Sequence, residues 1–479
     1  MPQRLIETTP AILLGFFIAC VFVRGGTPPA VVAVMTWVAA ISLLWAAASR
    51  YRGPPSDGIQ TAATWCLLVA LLALCLVGVA GLIAVDSETW LALPGRADYG
   101  PIVHGLTNAP WQMQRFALAI DPPETVAALQ SLICALAAAS LALTLPRGMA
   151  LRILGFIAVI AVAQGLLGLL QVALNSPSFL AFGAAVGGQR AAGTFVNKNN
   201  YATLLALALP ILILRSAGRF RFGTKRADST ALRNGWWGIA TAVVAAALVS
   251  SISRAGVTAG ALATVGAVTI CFLTTQERRE RWLFALIALV GVVLATASGL
   301  ALLLQSLESQ GLAQSAEGRH ALNLATWQGI RAMFPVGAGL GSYAIAFQRF
   351  QPGVMDGFIG FAHNDYLQLL FELGVAGALV LLALAAAFVA VVAALLRAHR
   401  SGAGLASPAA ACFLGCAAFA LHAWFDFPSH VPALAWIAAT IAALATRRDL
   451  QQGNMNPELA ERTTSGKRRR RRSAALEAA

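Results

Sequence analysis

Charge is what this chain has least of. Only 11% of its 479 residues are Asp, Glu, Lys or Arg, where a soluble domain carries about 25%. With 58% hydrophobic residues and a mean hydropathy of +0.72, a soluble globular protein is excluded. Also missing are a Walker sequence and any Asp-x-Asp pair for a metal-bound sugar nucleotide, which argues against a nucleotide-driven cytoplasmic reaction. His, Cys, Asp and Glu nowhere gather at metal-ligand spacing, so neither a metal nor a cofactor is expected. No internal repeat stands out, and inverted-repeat transporter logic gains no support. Cysteine is absent from the loops. All seven, at 20, 66, 75, 134, 271, 412 and 416, fall in apolar runs and read as small packing residues, the 412/416 pair on one helix face included. The first apolar run lacks a small-residue cleavage site and reads as a first span.

Long apolar runs are what the chain has in abundance. About twelve are of spanning length: 11–23, 30–48, 62–85, 125–145, 149–174, 201–214, 236–250, 257–273, 282–304, 367–396, 408–425 and 431–445. Backbone polar groups in lipid must bond internally, and these runs are too long for barrel strands. The expected fold is therefore all-α, a polytopic membrane bundle of about twelve transmembrane helices with a helical outer loop. Arg50 and Arg52, Arg147 and Arg152, the group from Arg215 to Arg233, Arg278 to Arg281, and Arg397 and Arg400 occupy alternate loops. Those loops are expected to be cytoplasmic, with both termini inside. The net charge of +14 lies mostly there and in the tail from Lys467 to Arg472. Such clusters fix topology and touch membrane lipid; no nucleic-acid partner is expected. Three sections follow: N-terminal spans over 1–180, a core over 181–446 containing a large outer loop at 305–365, and a basic tail at 447–479, expected to be disordered. Within the outer loop Leu322, Trp327, Ile330 and Phe334 predict an amphipathic helix on the membrane surface. Gly337, Gly339 and Gly341 end it. They are no dinucleotide fingerprint, because no βαβ unit surrounds them.

Three polar islands share the outer side: residues 189–200, Ser253-Arg254, and Gly318-Arg319 leading to His363-Asn364-Asp365-Tyr366. Together they suit an interfacial active site for an anionic, lipid-linked substrate. His363 precedes good N-cap residues, Asn364 and Asp365, and an apolar helical run. At a helix N-terminus the dipole disfavours imidazolium and favours the neutral ring a general base needs. The competing reading is an ordinary interfacial histidine bonded to backbone. Arg190, Arg254 and Arg319 are unexpected outside the membrane under the positive-inside rule, and guanidinium forks suit phosphate oxygens. Each could instead snorkel to headgroups or helix carbonyls. Asn197 and Asn200 either cap the sixth span or join the site, and Lys198 adds positive potential. Asp365, Glu372 and Asp426 either orient His363 or an arginine, or are structural. Gly339 and its neighbours fit a tight turn near substrate. The span centres are nearly all Leu, Ala, Val and Gly, which disfavours a transporter or flippase for a lipid-linked glycan.

Taken in order, Gly193-Thr194-Phe195-Val196-Asn197, Ser253-Arg254, Gly318-Arg319, Pro335-Val336-Gly337-Ala338-Gly339-Leu340-Gly341, His363-Asn364-Asp365-Tyr366-Leu367-Gln368 with Glu372-Leu373-Gly374, and His422 with Asp426-Phe427-Pro428 resemble the O-antigen ligase and polymerase superfamily. The resemblance covers roughly residues 181–432. It implies a fold like the multispanning GT-C transferases, in a bacterial inner membrane, with the active site periplasmic. It also implies inverting, metal-independent transfer of a glycan from undecaprenyl diphosphate. By match of position, His363 would activate the acceptor hydroxyl, Arg254 and Arg319 would hold the diphosphate, and Arg190 would add a third contact. Acceptors in the superfamily are lipid A core (ligases), another lipid-linked repeat (polymerases) or protein serines. A ligase-type acceptor, lipid A core or a related glycan, is the leading expectation and polymerase the alternative.

Overall fold

A computed structural model describes residues 3–48, 58–108, 115–176, 178–180, 190–222, 230–275, 282, 310–353, 355, 357–400 and 405–451. These residues form helices α1 (Gln3–Ala19), α2 (Pro29–Ala48), α3 (Gly58–Gly81), α4 (Ser87–Ala92), α5 (Gly100–Thr107), α6 (Pro122–Thr144), α7 (Arg147–Ala173) and α8 (Lys198–Ser216). There follow α9 (Thr230–Ser250), α10 (Arg254–Thr274), α11 (Gln310–Met333), α12 (Tyr343–Ala346), α13 (Asp365–Arg400), α14 (Pro408–Ala423), α15 (Pro432–Thr446) and α16 (Arg448–Gln451). The expected spans coincide with α1, α2, α3, α6, α7, α8, α9, α10, α13, α14 and α15. The run 282–304 lies outside the described residues but for Trp282, and so does the tail beyond Gln451. Helices α2, α3, α6, α7, α10 and α13 are long and apolar enough to cross a membrane, and shorter apolar helices accompany them.

The outward faces argue for lipid as solvent. On α2 the exposed side chains are Val34, Trp37, Ile41 and Leu44, and on α3 they are Trp65, Val69, Leu72, Leu76 and Val79. Spacings of three and four put each set on one stripe. In water that stripe would be polar; here it is as apolar as the core. Helix α8 is the opposite case. Every residue from Asn200 to Arg215 is buried, because α7, α9, α10 and α14 pack around it. Helix α13 packs along α3.

One expected span ends early, and the outer-loop helix divides its apolar residues between two faces. The third run, expected to span to Val85, stops as α3 at Gly81, and Ala84–Asp86 pairs antiparallel with Arg115–Ala117. The returning chain takes the freed carbonyls: Leu118 N–H donates to Ile83 C=O (2.9 Å) and Ala119 N–H to Gly81 C=O (2.7 Å). In α11 the buried stripe is Leu322, Ala325, Thr326, Ile330 and Met333, whereas Trp327 and Phe334 are exposed. Trp327 is five residues from Leu322, well off that face at 3.6 residues per turn.

The two ends of the bundle differ in chemistry. At one end arginines close helix C-termini, where free carbonyls and the dipole favour a cation. Arg447 donates to Ala142 C=O (2.9 Å) and Leu145 C=O (2.6 Å) at the end of α6. Arg219 reaches Cys271 C=O (3.3 Å) and Thr274 C=O (3.4 Å) at the end of α10. The other end holds the starts of α8, α10, α13 and α15 and carries the polar islands.

There α13 is broken within the helix at Gly374 (φ 52°, ψ −123°). Its freed groups bond the glycine turn that follows α11. Ala338 N–H donates to Phe371 C=O (3.0 Å), Gly339 N–H to Glu372 C=O (2.8 Å), and Val375 N–H to Pro335 C=O (3.0 Å). Irregular backbone within a membrane helix survives only when protein satisfies it. The turn is also pinned from the segment before α6: Ile120 N–H donates to Ala338 C=O (2.9 Å), and the fully buried Arg96, lying over the Trp90 ring, reaches Gly337 C=O and Ala338 C=O (both 3.5 Å).

Candidate active site

The segment from Arg190 to Asn197 is strapped to α7 by two buried glutamines. Gln171 accepts from Gly193 N–H (2.9 Å) and donates to Gly193 C=O (2.7 Å). Gln164 accepts from Thr194 N–H (3.0 Å) and donates to the Thr194 hydroxyl (2.9 Å). Gly193 sits at φ +57°, and a Cβ there would lie 2.2 Å from the Gln164 oxygen. Asn197 caps α8, accepting from Asn199 N–H (2.8 Å). Arg190 is exposed at the head of the strap.

Lys198, the first residue of α8, donates to Ile252 C=O at 2.8 Å. Ile252 is held at φ +51°, a left-handed conformation that a β-branched residue rarely adopts. The turn delivers Ser253 as the cap of α10, accepting from Gly256 N–H (3.3 Å), and Arg254 as that helix's first residue. Arg319 is exposed on α11. Arg190, Arg254 and Arg319 all lie within electrostatic reach of Lys198. Burial, then these three guanidinium groups, push its amine down to about 8 against a smaller pull from Asp426. The sequence-predicted cations, scattered over 130 residues of chain, thus lie near Lys198.

His363 precedes α13 at φ +49°. Asn364 is the cap, accepting from the Tyr366 and Leu367 N–H groups (both 3.1 Å). The His363 side chain is 37% exposed and its Nδ1 lies 3.2 Å from Oδ1 of Asp426, which is 1% exposed. With Nδ1–H given to the carboxylate, Nε2 keeps its lone pair. Burial works to raise the Asp426 carboxyl, but its bond to His363, the charge that His363 and His422 can carry, and Phe427 N–H hold it below the usual value. The Phe427 ring packs edge-on against His363, centroids 4.9 Å apart.

Asp365 does not meet His363. Its Oδ1 lies 2.9 Å from His430 Nδ1 and its Oδ2 accepts from Ser429 N–H (3.0 Å). The two His–Asp pairs therefore run crosswise between the start of α13 and the loop after α14. His430 continues to Gln368 (2.9 Å), which donates to Glu372 (3.1 Å) and accepts from Ala362 N–H (3.0 Å). Glu372 accepts from Gly341 N–H (2.8 Å). Burial disfavours His430's charge, yet its bond and proximity to Asp365, and then Glu372, raise its imidazole above the ordinary value. Gly339 lies behind this network at φ +102°, packed on Ala119.

Sequence reasoning named Asp426 as one of three carboxylates and in the Asp426-Phe427-Pro428 piece of the resemblance without singling it out as the partner of His363, and did not name Gln164, Gln171 and His430 as parts of the site. The available signal was polar residues inside or just beside apolar runs. Among the described residues, no three His, Cys, Asp or Glu side chains are grouped to hold a metal ion.

The apolar outer stripes and the polar rim define a multi-pass helical membrane protein. Residues 239–382 match the family model described as O-Antigen ligase, which supports the O-antigen ligase and polymerase superfamily. The matched stretch carries Arg254, Arg319, Gly339 and His363-Asn364-Asp365; it is narrower than the 181–432 of the sequence resemblance and leaves Lys198 and Asp426 outside. A search among curated proteins found none that matches the chain.

Proposed function

We propose that this protein is a membrane glycosyltransferase of the ligase type, moving a glycan from undecaprenyl diphosphate to an acceptor hydroxyl, lipid A core or a related glycan, on the extracytoplasmic face. The observation that carries the reading is the His363–Asp426 pair at the same rim as four converging cations. His363 Nε2 takes the hydroxyl proton as the acceptor oxygen attacks sugar C1. The C1–O bond breaks and the diphosphate leaves with the electron pair, opposite the attacking oxygen. Arg254, Arg319, Arg190 and Lys198 stabilise the charge that grows on it. Positive charge at the site where negative charge develops is usually the largest single contribution to catalysis. An apolar groove of about 450 Å³, lined by Tyr366, Ala420, Leu421, Trp424 and Phe425, lies beside the pair and suits the polyprenyl chain. Tyr366 is three residues from His363 and Phe425 adjoins Asp426.

The test is an assay of purified protein with undecaprenyl-diphosphate glycan, a chelator, and either lipid A core or a second donor molecule as acceptor. Transfer to core supports the ligase; chain extension makes the protein a polymerase. Transfer to neither acceptor sinks both readings and leaves protein acceptors or transport.

A further inference from the structure

His422 ends α14 with 0% of its surface exposed. Its Nδ1 lies 2.8 Å from the Thr203 hydroxyl, which also lies 3.0 Å from Asn199 C=O. A hydroxyl has one proton; given to the carbonyl, it leaves Oγ1 to accept from His422 Nδ1–H. Nε2 then carries a lone pair. Among the described residues that Nε2 is buried without a hydrogen-bond partner, and so is Oδ2 of Asp426. Asp426 stands four residues on, across the turn closed by Phe425 N–H to His422 C=O (2.9 Å), and the two side chains interact electrostatically. Its other oxygen is already committed to His363 and to Phe427 N–H (3.0 Å). Two buried acceptors thus stand on electrostatically coupled side chains four residues apart, and neither has a donor among the described residues. Buried polar groups are almost always bonded, and a water can donate to both.

We propose that an internal water joins Asp426 Oδ2 to His422 Nε2, making His422 a positioning residue for the His363–Asp426 pair. The chain runs Thr203, His422, water, Asp426, His363. It fixes the carboxylate rotamer that aims Oδ1 at His363 and hydrates the anion's far side, so Asp426 stays ionised and in place when His363 takes up a proton. The same ring packs at the start of α10: a Cβ on Gly256 would lie 3.3 Å from His422 Cε1, two residues from Arg254. The catalytic consequence rests on the glycosyltransfer reading; the hydrogen-bonded chain does not.

Two measurements separate these. In the transfer assay, His422→Phe is expected to lower kcat about 10²-fold, the scale of a misplaced catalytic group, with donor KM within about twofold. His422→Gln should recover part of it. In an Asp426→Asn background His422→Phe should add little, since residues acting through one another are not additive. Full kcat in His422→Phe, or an equal loss in both backgrounds, overturns the positioning role. Independently of activity, imidazole NMR of histidine-labelled protein should show His422 as the neutral Nδ1–H tautomer. His422→Gln and Thr203→Val, which keeps the hydroxyl's shape, should both move the His363 resonances in the direction Asp426→Asn moves them. Unmoved His363 resonances in both variants overturn the chain even if the protein transfers no glycan. Thr203→Val guards against a His422 variant that fails to fold.

Discussion

The ammonium of Lys198 donates to the backbone carbonyl of Ile252 at 2.8 Å, so one polar island holds the left-handed residue of another. The bond ties down the turn that presents Arg254, and under the proposed function the charge would add to the attraction for the diphosphate. Burial and neighbouring guanidinium groups push the amine down to about 8. Below that pH Lys198 is protonated and favours a diphosphate; as pH rises through it the charge is lost. Donor KM is therefore expected to rise between about pH 7 and 9. Lys198→Arg, charged throughout, should flatten that rise, and Lys198→Met should show the raised KM at every pH. A wild-type KM that stays level across the window would refute the assignment.

The His363–Asp426 pair predicts a loss in turnover rather than in donor binding. His363→Ala should abolish transfer, a drop of about 10²–10⁴-fold, with expression and membrane insertion intact. Asp426→Asn keeps the shape but can stabilise the wrong tautomer, leaving Nε2 protonated; its kcat should fall with little change in donor KM. The steady-state parameters of both variants check this, and normal transfer by His363→Ala would remove the general-base role.

Much of this was legible in the sequence, for identifiable reasons. Apolar length and the Arg-rich loops marked the helices, because lipid leaves the backbone no other solution. Gly337, Gly339 and Gly341 marked the turn, and the structure holds all three at positive φ. Pairings across long separations were not legible. Nothing in a linear reading distinguishes Asp426 from Asp365 as the partner of His363; only the crossing of the loop after α14 over the start of α13 decides it. Likewise the apolar spacing marked the helix α11, but only packing against its neighbours buries Leu322 and Ile330 and leaves Trp327 exposed.

Arg254 and Arg319 lie within electrostatic reach of each other, a weak repulsion that a bound diphosphate would relieve under the proposed function. Arg254→Ala and Arg319→Ala should each weaken donor binding or leaving-group stabilisation by about 1.5–3 kcal/mol, the range for bonds to charged groups. That is roughly 10- to 150-fold in kcat/KM. Lysine at either position should restore only part, because it lacks the bidentate fork. Thermal unfolding without donor should be unchanged or slightly raised in the alanine variants, since a repulsion is relieved. Unfolding temperatures that fall with activity would mark the arginines as structural.

Gly339 and Gly318 make a matched pair for stability. At Gly339 the backbone is at φ +102° and a Cβ would lie 2.5 Å from the Cα and Cβ of Ala119. The same residue donates its N–H to Glu372 C=O, beside the Gly374 break that the turn stabilises. Gly339→Ala must therefore strain the backbone, push Ala119 away, or give up that bond. A destabilisation of about 1–3 kcal/mol is expected from the strained conformation alone, read as a lower midpoint of thermal unfolding in detergent. Gly318 lies in α11 next to Arg319, and nothing stands within 4 Å of a Cβ there. Gly318→Ala should leave stability unchanged or raise it by about 0.5–1 kcal/mol, because alanine loses less backbone entropy in a helix. Equal effects at the two positions would mean that the glycine turn is not the close-packed support for α13 that its contacts describe.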